Sequence, residues 1–171
     1  LGGQLGRLRL EDRAQLVDAA EVAVVEVGDE HLKICNEYDA FMNLTLKMLS
    51  NEYWVAQVDN LEPSMIEQIQ KQSTEFWTLS KTTDETSIVS NMPAHPSFVS
   101  VEGPWSAFRI VGQLNFSLTG ILSKCATLLA EGKISIFAIS TFDTDYFLVR
   151  KENTQGAISA WRAGEITVQE I

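Results

Sequence analysis

A β-α-β-β order of predicted secondary structure occurs twice in this chain, and this repeat constrains the fold more than any other feature of the sequence. In the first copy, apolar and polar residues alternate from Leu44 and again over residues 53–58, which indicates two half-buried strands. Residues 63–72 have a helical apolar face behind Pro63, and a predicted hairpin follows over residues 76–80 and 86–90. Such a unit buries one face of its strands beneath its helix.

The second copy follows residues 91–103, which include Pro93 and Pro96 and are predicted to be a surface connector. Its predicted elements are a strand over 106–114, a helix closed by Gly132, strands over 134–141 and 146–150, a helix over 152–162 and a strand over 166–169. Residues 134–141 are almost continuously apolar, which is typical of a strand covered on both faces. We expect eight side chains in the buried core, namely Ile121, Leu122, Cys125, Leu128, Ile136, Ala138, Phe147 and Val149.

The predicted fold class is α+β, with two tandem ferredoxin-like βαββ units that share one antiparallel sheet and pack their helices on one face. The units are assigned to residues 42–100 and 101–171, and residues 1–41 form an N-terminal extension of unknown role. Within that extension the sequence predicts a helix over 10–20 and a hairpin near residues 22–35. Met42 is an alternative start of the native chain.

Charge and composition exclude several classes of partner. The net charge of −10 and the scattered distribution of only 13 basic residues argue against nucleic acid. No apolar run reaches the length of a membrane span, and no signal peptide is apparent. Two distant cysteines, Cys35 and Cys125, do not form a disulfide framework, so we expect a reducing, cytoplasmic location.

The inventory of catalytic residues is small. His31 and Cys35 could hold a metal only with further ligands, which do not follow at usable spacing. His95 lies between prolines, and Asp143 and Asp145 are typical of a solvated turn. No nucleophile elbow, phosphate-binding loop or dinucleotide fingerprint occurs. We therefore expect no enzyme activity, no metal and no cofactor.

Two segments are better candidates for ligand binding. Residues 112–120 join a strand to a helix start, where main-chain N–H groups and the helix dipole can receive a carboxylate. The alternative is a capped helix, with Ser117 or Thr119 as the cap. Residues 134–150 lead from a strand into an acidic turn, where Asp145 could meet a cation and Phe142 could form an apolar wall. The alternative is a hairpin whose aspartate satisfies its own turn amides.

The second copy resembles the ACT-domain family of small bacterial and fungal regulators and is similar to the cytosolic arginine sensors of animals. The resemblance is carried by NFSLTGIL at the helix start and ISTFDTDYFLV at the hairpin, with YWVAQV and FWTLSKTTDETSIVS fitting the first half. It covers residues 43–171. Asn115 stands where the family commonly has aspartate, and residues 1–41 match nothing known in it.

In ACT regulators the ligand lies where paired domains meet, beside the strand-to-helix loop. Carried over to this chain, the resemblance implies the ligand-binding residues Asn115, Phe116, Ser117, Leu118, Thr119, Gly120, Thr141, Phe142 and Asp145, with Ser87, Ile88 and Val89 facing them from the first unit. It implies a non-catalytic regulatory protein that senses a small molecule, an amino acid, as a homodimer with a protein target. The alternative is an interaction module that oligomerises through sheet edges without a metabolite.

Overall fold

A computed structural model describes residues 44–114 and 119–171 of the chain. The elements are β1 (Thr45–Val58), α1 (Pro63–Gln72), β2 (Thr78–Lys81), β3 (Thr86–Ser90), β4 (Phe98–Ile110), α2 (Ile121–Glu131), β5 (Phe137–Ser140), β6 (Asp145–Arg150), a 3-10 turn (Lys151–Asn153), α3 (Thr154–Ala163) and β7 (Thr167–Gln169). The helix and hairpin predicted within residues 1–41 lie outside the described residues. None of the helices in the described ranges combines the length and apolar character needed to cross a bilayer.

The seven strands form one sheet in the order β2-β3-β1-β4-β6-β5, and β7 pairs in parallel with the start of β1. All the other pairings are antiparallel, so the predicted α+β architecture with a shared antiparallel sheet is confirmed. The predicted boundary near residue 100 lies inside β4, because β1 and β4 are long strands that pass through both repeats. The division into units 42–100 and 101–171 stays a prediction.

Three apolar clusters hold the helices and loops against the sheet. In the largest cluster, Trp161 of α3 packs edge-on against Phe108 with 4.8 Å between ring centroids, and its indole N–H donates to the carbonyl of Cys125 at 3.2 Å. A second cluster joins Met65 and Ile69 of α1 to the sheet. The third cluster contains the strand residues Tyr53, Val89, Trp105, Ala107 and Leu148, together with Phe76 from the loop before β2.

The predicted core is partly right. Ile121, Cys125, Phe147 and Val149 are buried, and Leu128 and Ile136 are partly buried against the same cluster. The prediction is wrong for Leu122, which is 43% exposed, and for Ala138, which is also exposed. Helix α2 buries one narrow stripe with a four-residue spacing, namely Ile121, Cys125 and Leu129. Leu122 lies off this stripe, and Ala138 belongs to an edge strand.

Three strand predictions need correction. The two strands predicted from Leu44 and over residues 53–58 are one continuous strand, β1. Residues 134–141 were expected to form a strand covered on both faces, but only Phe137–Ser140 pair, at the edge of the sheet. Residues 98–103 were expected to belong to a connector, but they form the start of β4 and pair with β1. Gly103 permits this pairing, because a Cβ atom there would lie 2.6 Å from the side chain of Trp54 and 2.9 Å from the carbonyl oxygen of Tyr53.

Candidate ligand-binding site

A cavity of about 220 Å³ lies where the β5–β6 turn meets the start of α2. Its lining residues are Leu114, Gly120, Ile121, Leu122, Ser140, Thr141, Phe142, Asp143, Thr144 and Asp145. The helix start and the hairpin turn are 20 residues or more apart in sequence, and the βαβ connection brings them to the same end of the sheet. The cavity is therefore a product of the topology.

The β5–β6 turn is fixed by hydrogen bonds on both sides. Thr141 closes the turn, since its backbone N–H and its hydroxyl both donate to the carbonyl of Thr144, at 2.9 and 2.7 Å. The buried hydroxyl of Thr144 donates to the carbonyl of Ile110 at 2.9 Å, which ties the turn to the end of β4. Asp143 accepts a hydrogen bond from the side-chain amide of Gln113 at 2.7 Å. The turn is thus a rigid wall of the cavity.

The start of α2 supplies main-chain donors. Gly120 is the N-cap residue and has φ of +82°, a left-handed conformation that glycine adopts without strain. No described side chain caps the helix by a hydrogen bond, so the prediction of Thr119 as the cap is wrong. Ser117, the other predicted cap, lies outside the described residues. The first N–H groups of a helix have no partner within it, and they carry the positive end of the dipole. These groups lie at the cavity through Gly120, Ile121 and Leu122.

Asp145 supplies the negative charge. It is half-buried at the first position of β6, opposite Ser140. In the described ranges, no hydrogen bond or ion pair involves its carboxylate, whereas the Asp143 carboxylate is bound by Gln113. Burial raises the pKa of the Cys125 thiol to about 12, and the charge of Asp145 adds to this rise while that of Lys124 opposes it. Asp145 therefore acts electrostatically on the first turns of α2.

The remaining wall is apolar and open. Phe142 is 76% exposed at the tip of the turn, and Leu122 is exposed beside it. Sequence reasoning placed Leu122 in the core and did not propose Leu114, Ile121, Ser140 or Thr144 as lining residues. Leu122 does not share the four-residue spacing of Ile121, Cys125 and Leu129, and this difference in the sequence could have identified it as an exposed residue.

The cavity brings together four of the predicted ligand-binding residues, namely Gly120, Thr141, Phe142 and Asp145. Thr119 immediately precedes the lining but is not part of it, and residues 115–118 lie outside the described residues. Ser87, Ile88 and Val89 lie in β3, which β1 and β4 separate from β6. Ile88 and Val89 are buried in the other two clusters, so one chain does not bring these three residues to the cavity. The predicted ligand-binding set stays a prediction.

The described residues offer no group of three or more side chains that could hold a metal ion. The imidazole of His95 accepts a hydrogen bond from the backbone N–H of Ser97 at 3.1 Å. Its ring is tilted by 49° against that of Phe98, with 5.6 Å between the centroids. Its contacts are those of a loop residue that orders the start of β4.

Comparisons with known proteins agree with this architecture. Residues 100–162 match the family model described as the ACT domain. A protein from Agobacterium tumefaciens has a similar solved structure, with 26% identity and a TM-score of 0.64 over 75% of this chain and 94% of that one. A Vibrio cholerae protein of unknown function, described as a possible transport protein, has the same fold, with 18% identity and a TM-score of 0.59 over 72% and 91% of the two chains. Residues 100–162, which contain most of β4 and all of α2, β5 and β6, are therefore similar to an ACT domain.

Proposed function

We propose that this protein is a non-catalytic regulator that binds an amino acid in the cavity between the start of α2 and the β5–β6 turn. The observation that carries the proposal is the pairing of opposite receptors across one cavity. Main-chain N–H groups at Gly120 and beyond suit the α-carboxylate of an amino acid, and Asp145 suits its ammonium group. Phe142 and Leu122 offer an apolar wall to the ligand's side chain.

The open side of the cavity supports ligand binding at an interface. Phe142 at 76% exposure and Leu122 at 43% are large apolar side chains on the rim, and a neighbouring surface would shield them from water. We propose that a second copy of the chain closes the cavity to form a homodimer, and that Ser87 and its β3 neighbours approach from that copy. The acidic net charge of −10 fits a regulator without nucleic acid or membrane as partner. We place it in the cytoplasm, where a protein target would respond to the ligand.

Isothermal titration against the twenty standard amino acids tests the proposal. One amino acid, or a small group of them, should bind to the wild-type protein. Asp145→Ala should weaken that binding by about 1.5–3 kcal/mol, the range for a hydrogen bond to a charged group. Its melting temperature should hardly change, because the carboxylate has no structural partner in the described ranges.

Asp84→Ala is the matched control. Asp84 also lies in a hairpin turn, between β2 and β3, and is exposed. This variant should bind the amino acid like wild type. A loss of stability with unchanged affinity in Asp145→Ala would instead make Asp145 a residue that stabilises its own turn.

The alternative function is an interaction module that self-associates through its sheet edges without a metabolite. The exposed Phe142 and the edge position of β5 favour it. Absence of heat across the whole panel, together with an intact dimer in analytical ultracentrifugation, would support this alternative.

A further inference from the structure

A second cavity, of about 400 Å³, lies between the loop that follows α1 and the β5–β6 hairpin. Its lining residues are Ser73, Thr74, Glu75, Phe76, Trp77, Thr141 and Tyr146. Of the lining residues that the structure describes, only Thr141 is shared with the cavity beside α2. The second cavity is therefore a separate candidate site, with its own chemistry.

The carboxylate of Glu75 is held in one position. Its Oε2 atom accepts hydrogen bonds from the backbone N–H of Ser50 at 3.0 Å, the hydroxyl of Ser50 at 2.7 Å and the side-chain amide of Asn51 at 2.8 Å. Partial burial by itself would raise the pKa of Glu75, but these hydrogen bonds outweigh it and lower the pKa. Glu75 is therefore ionised at neutral pH. All three donors bind Oε2, and no described residue donates to Oε1.

Aromatic rings line the same cavity as this carboxylate. Phe76 and Tyr146 stack with 4.1 Å between their centroids and 17° between their planes, and Trp77 is half-buried beside them. Tyr53 packs edge-on against Phe76 with 5.7 Å between centroids and is 1% exposed. Its buried hydroxyl makes no geometrically complete hydrogen bond among the described residues, although the side chain of Asn51 lies near enough to interact with it.

The charge balance of the cavity selects its ligand. Among the described residues, the lining contains one carboxylate and three aromatic side chains but no lysine, arginine or histidine. An anion would be repelled by Glu75. A cation gains the charge of Glu75 together with the attraction of the aromatic faces, and such a site recognises an ammonium group on an apolar stem.

We propose that this cavity is a binding site for a small organic cation, with the ammonium group at Oε1 of Glu75 and the apolar stem against Phe76, Trp77 and Tyr146. The site is distinct from the proposed amino-acid site. The cation would bind at Glu75 and the amino acid at Asp145, so each ligand can bind while the other cavity is empty.

Nuclear magnetic resonance titration of the full chain tests this proposal, with n-butylammonium chloride as the probe and 1-butanol as its neutral counterpart at constant ionic strength. A ligand this small is expected to bind with a Kd of about 1 mM. The indole N–H resonance of Trp77 and the amide resonance of Thr74, which lines only this cavity, should shift in a saturable way with butylammonium, but not with butanol. An equal response to both compounds, or no response to butylammonium, would overturn the proposal.

Substitutions locate the charge and the aromatic wall. Glu75→Gln should weaken butylammonium binding at least tenfold, whereas Glu67→Gln, which makes the same change on the exposed face of α1, should leave it unchanged. Trp77→Leu is a second variant, for the case that Glu75→Gln disturbs the loop. It leaves the hydrogen bonds of Glu75 intact and should weaken butylammonium binding several-fold, as followed through the amide resonance of Thr74. Asp145→Ala should bind butylammonium like wild type, because Asp145 does not line this cavity. The proposal of an amino-acid site and the proposal of a cation site can therefore be refuted separately. Wild-type affinity in both Glu75→Gln and Trp77→Leu would place the probe elsewhere and refute the assignment.

Discussion

The hydroxyl of Thr144 joins the β5–β6 turn to the sheet by a hydrogen bond. Substitutions of Thr144 can separate what this hydrogen bond contributes to stability from what the packing of the side chain contributes. Thr144 is 7% exposed, and its hydroxyl donates to the carbonyl of Ile110 at 2.9 Å. Thr144→Val keeps the shape of the side chain but leaves that carbonyl without this donor. We expect the free energy of unfolding to fall by about 1–3 kcal/mol, the cost of a buried polar group that loses its partner.

Thr144→Ser is the control for this experiment. It retains the hydroxyl and removes one methyl group, which should cost only about 0.8 kcal/mol. Urea denaturation followed by tryptophan fluorescence gives both values. The valine variant should also bind the amino acid more weakly than the serine variant, because the turn that carries Thr141 and Asp145 is less well held. A serine variant that is as unstable as the valine variant, or a valine variant with wild-type stability, would refute the assigned role of the hydrogen bond.

Three further predictions follow from buried polar groups. The Ser106 and Thr154 hydroxyls lie 2.7 Å apart, and Thr154 already donates its proton to a main-chain carbonyl at 2.7 Å, so Ser106 is the donor between them. Thr154→Val, which breaks both bonds, should therefore lower the free energy of unfolding by about 2–3 kcal/mol, against about 1 kcal/mol for Ser106→Ala, in urea denaturation. Tyr53→Phe should not lower the melting temperature, because its hydroxyl makes no geometrically complete hydrogen bond in the described ranges; a drop of several degrees would contradict this. Burial raises the pKa of Cys125 to about 12, so in a Cys35→Ser background the native protein should resist alkylation at pH 8. The free energy of unfolding should fall between pH 9 and pH 12, because the thiol of the unfolded chain ionises at lower pH than the buried one.

Local sequence patterns correctly predicted helices, because a helix forms its main-chain hydrogen bonds within its own segment. Helix α1 begins at Pro63 and packs through Met65 and Ile69, as its spacing indicates, and α3 buries Ala157, Ile158 and Trp161. The extent of β5 was wrong because hydrogen bonding to a neighbour ends a strand, and only Phe137–Ser140 find a partner in β6. Periodicity carries no information on that choice.

One of the two candidate sites could be predicted from the sequence, and the other could not. The order of elements predicted that the helix start near Gly120 and the turn at Asp145 would meet, and both line one cavity. The cavity around Glu75 was not predicted, because the donors Ser50 and Asn51 lie 25 and 24 residues away in sequence. The rest of β1 and helix α1 lie between them, and no recognisable motif marks the contact. Contacts of this kind depend on the register of β1, which the sequence pattern did not resolve.

The two long strands set a limit on how the chain can be divided. A fragment cut at residues 100 and 162 would begin inside β4 and would lack both β1 and β7. Strand β4 would then have an open edge along residues 105–110, and Phe108 and Ile110 would lose their neighbour Leu46. An open apolar edge of this kind pairs with other copies and aggregates. The limits of the ACT match are therefore limits of homology and not of autonomous folding, and a soluble minimal fragment has to start before Thr45 and extend past Gln169.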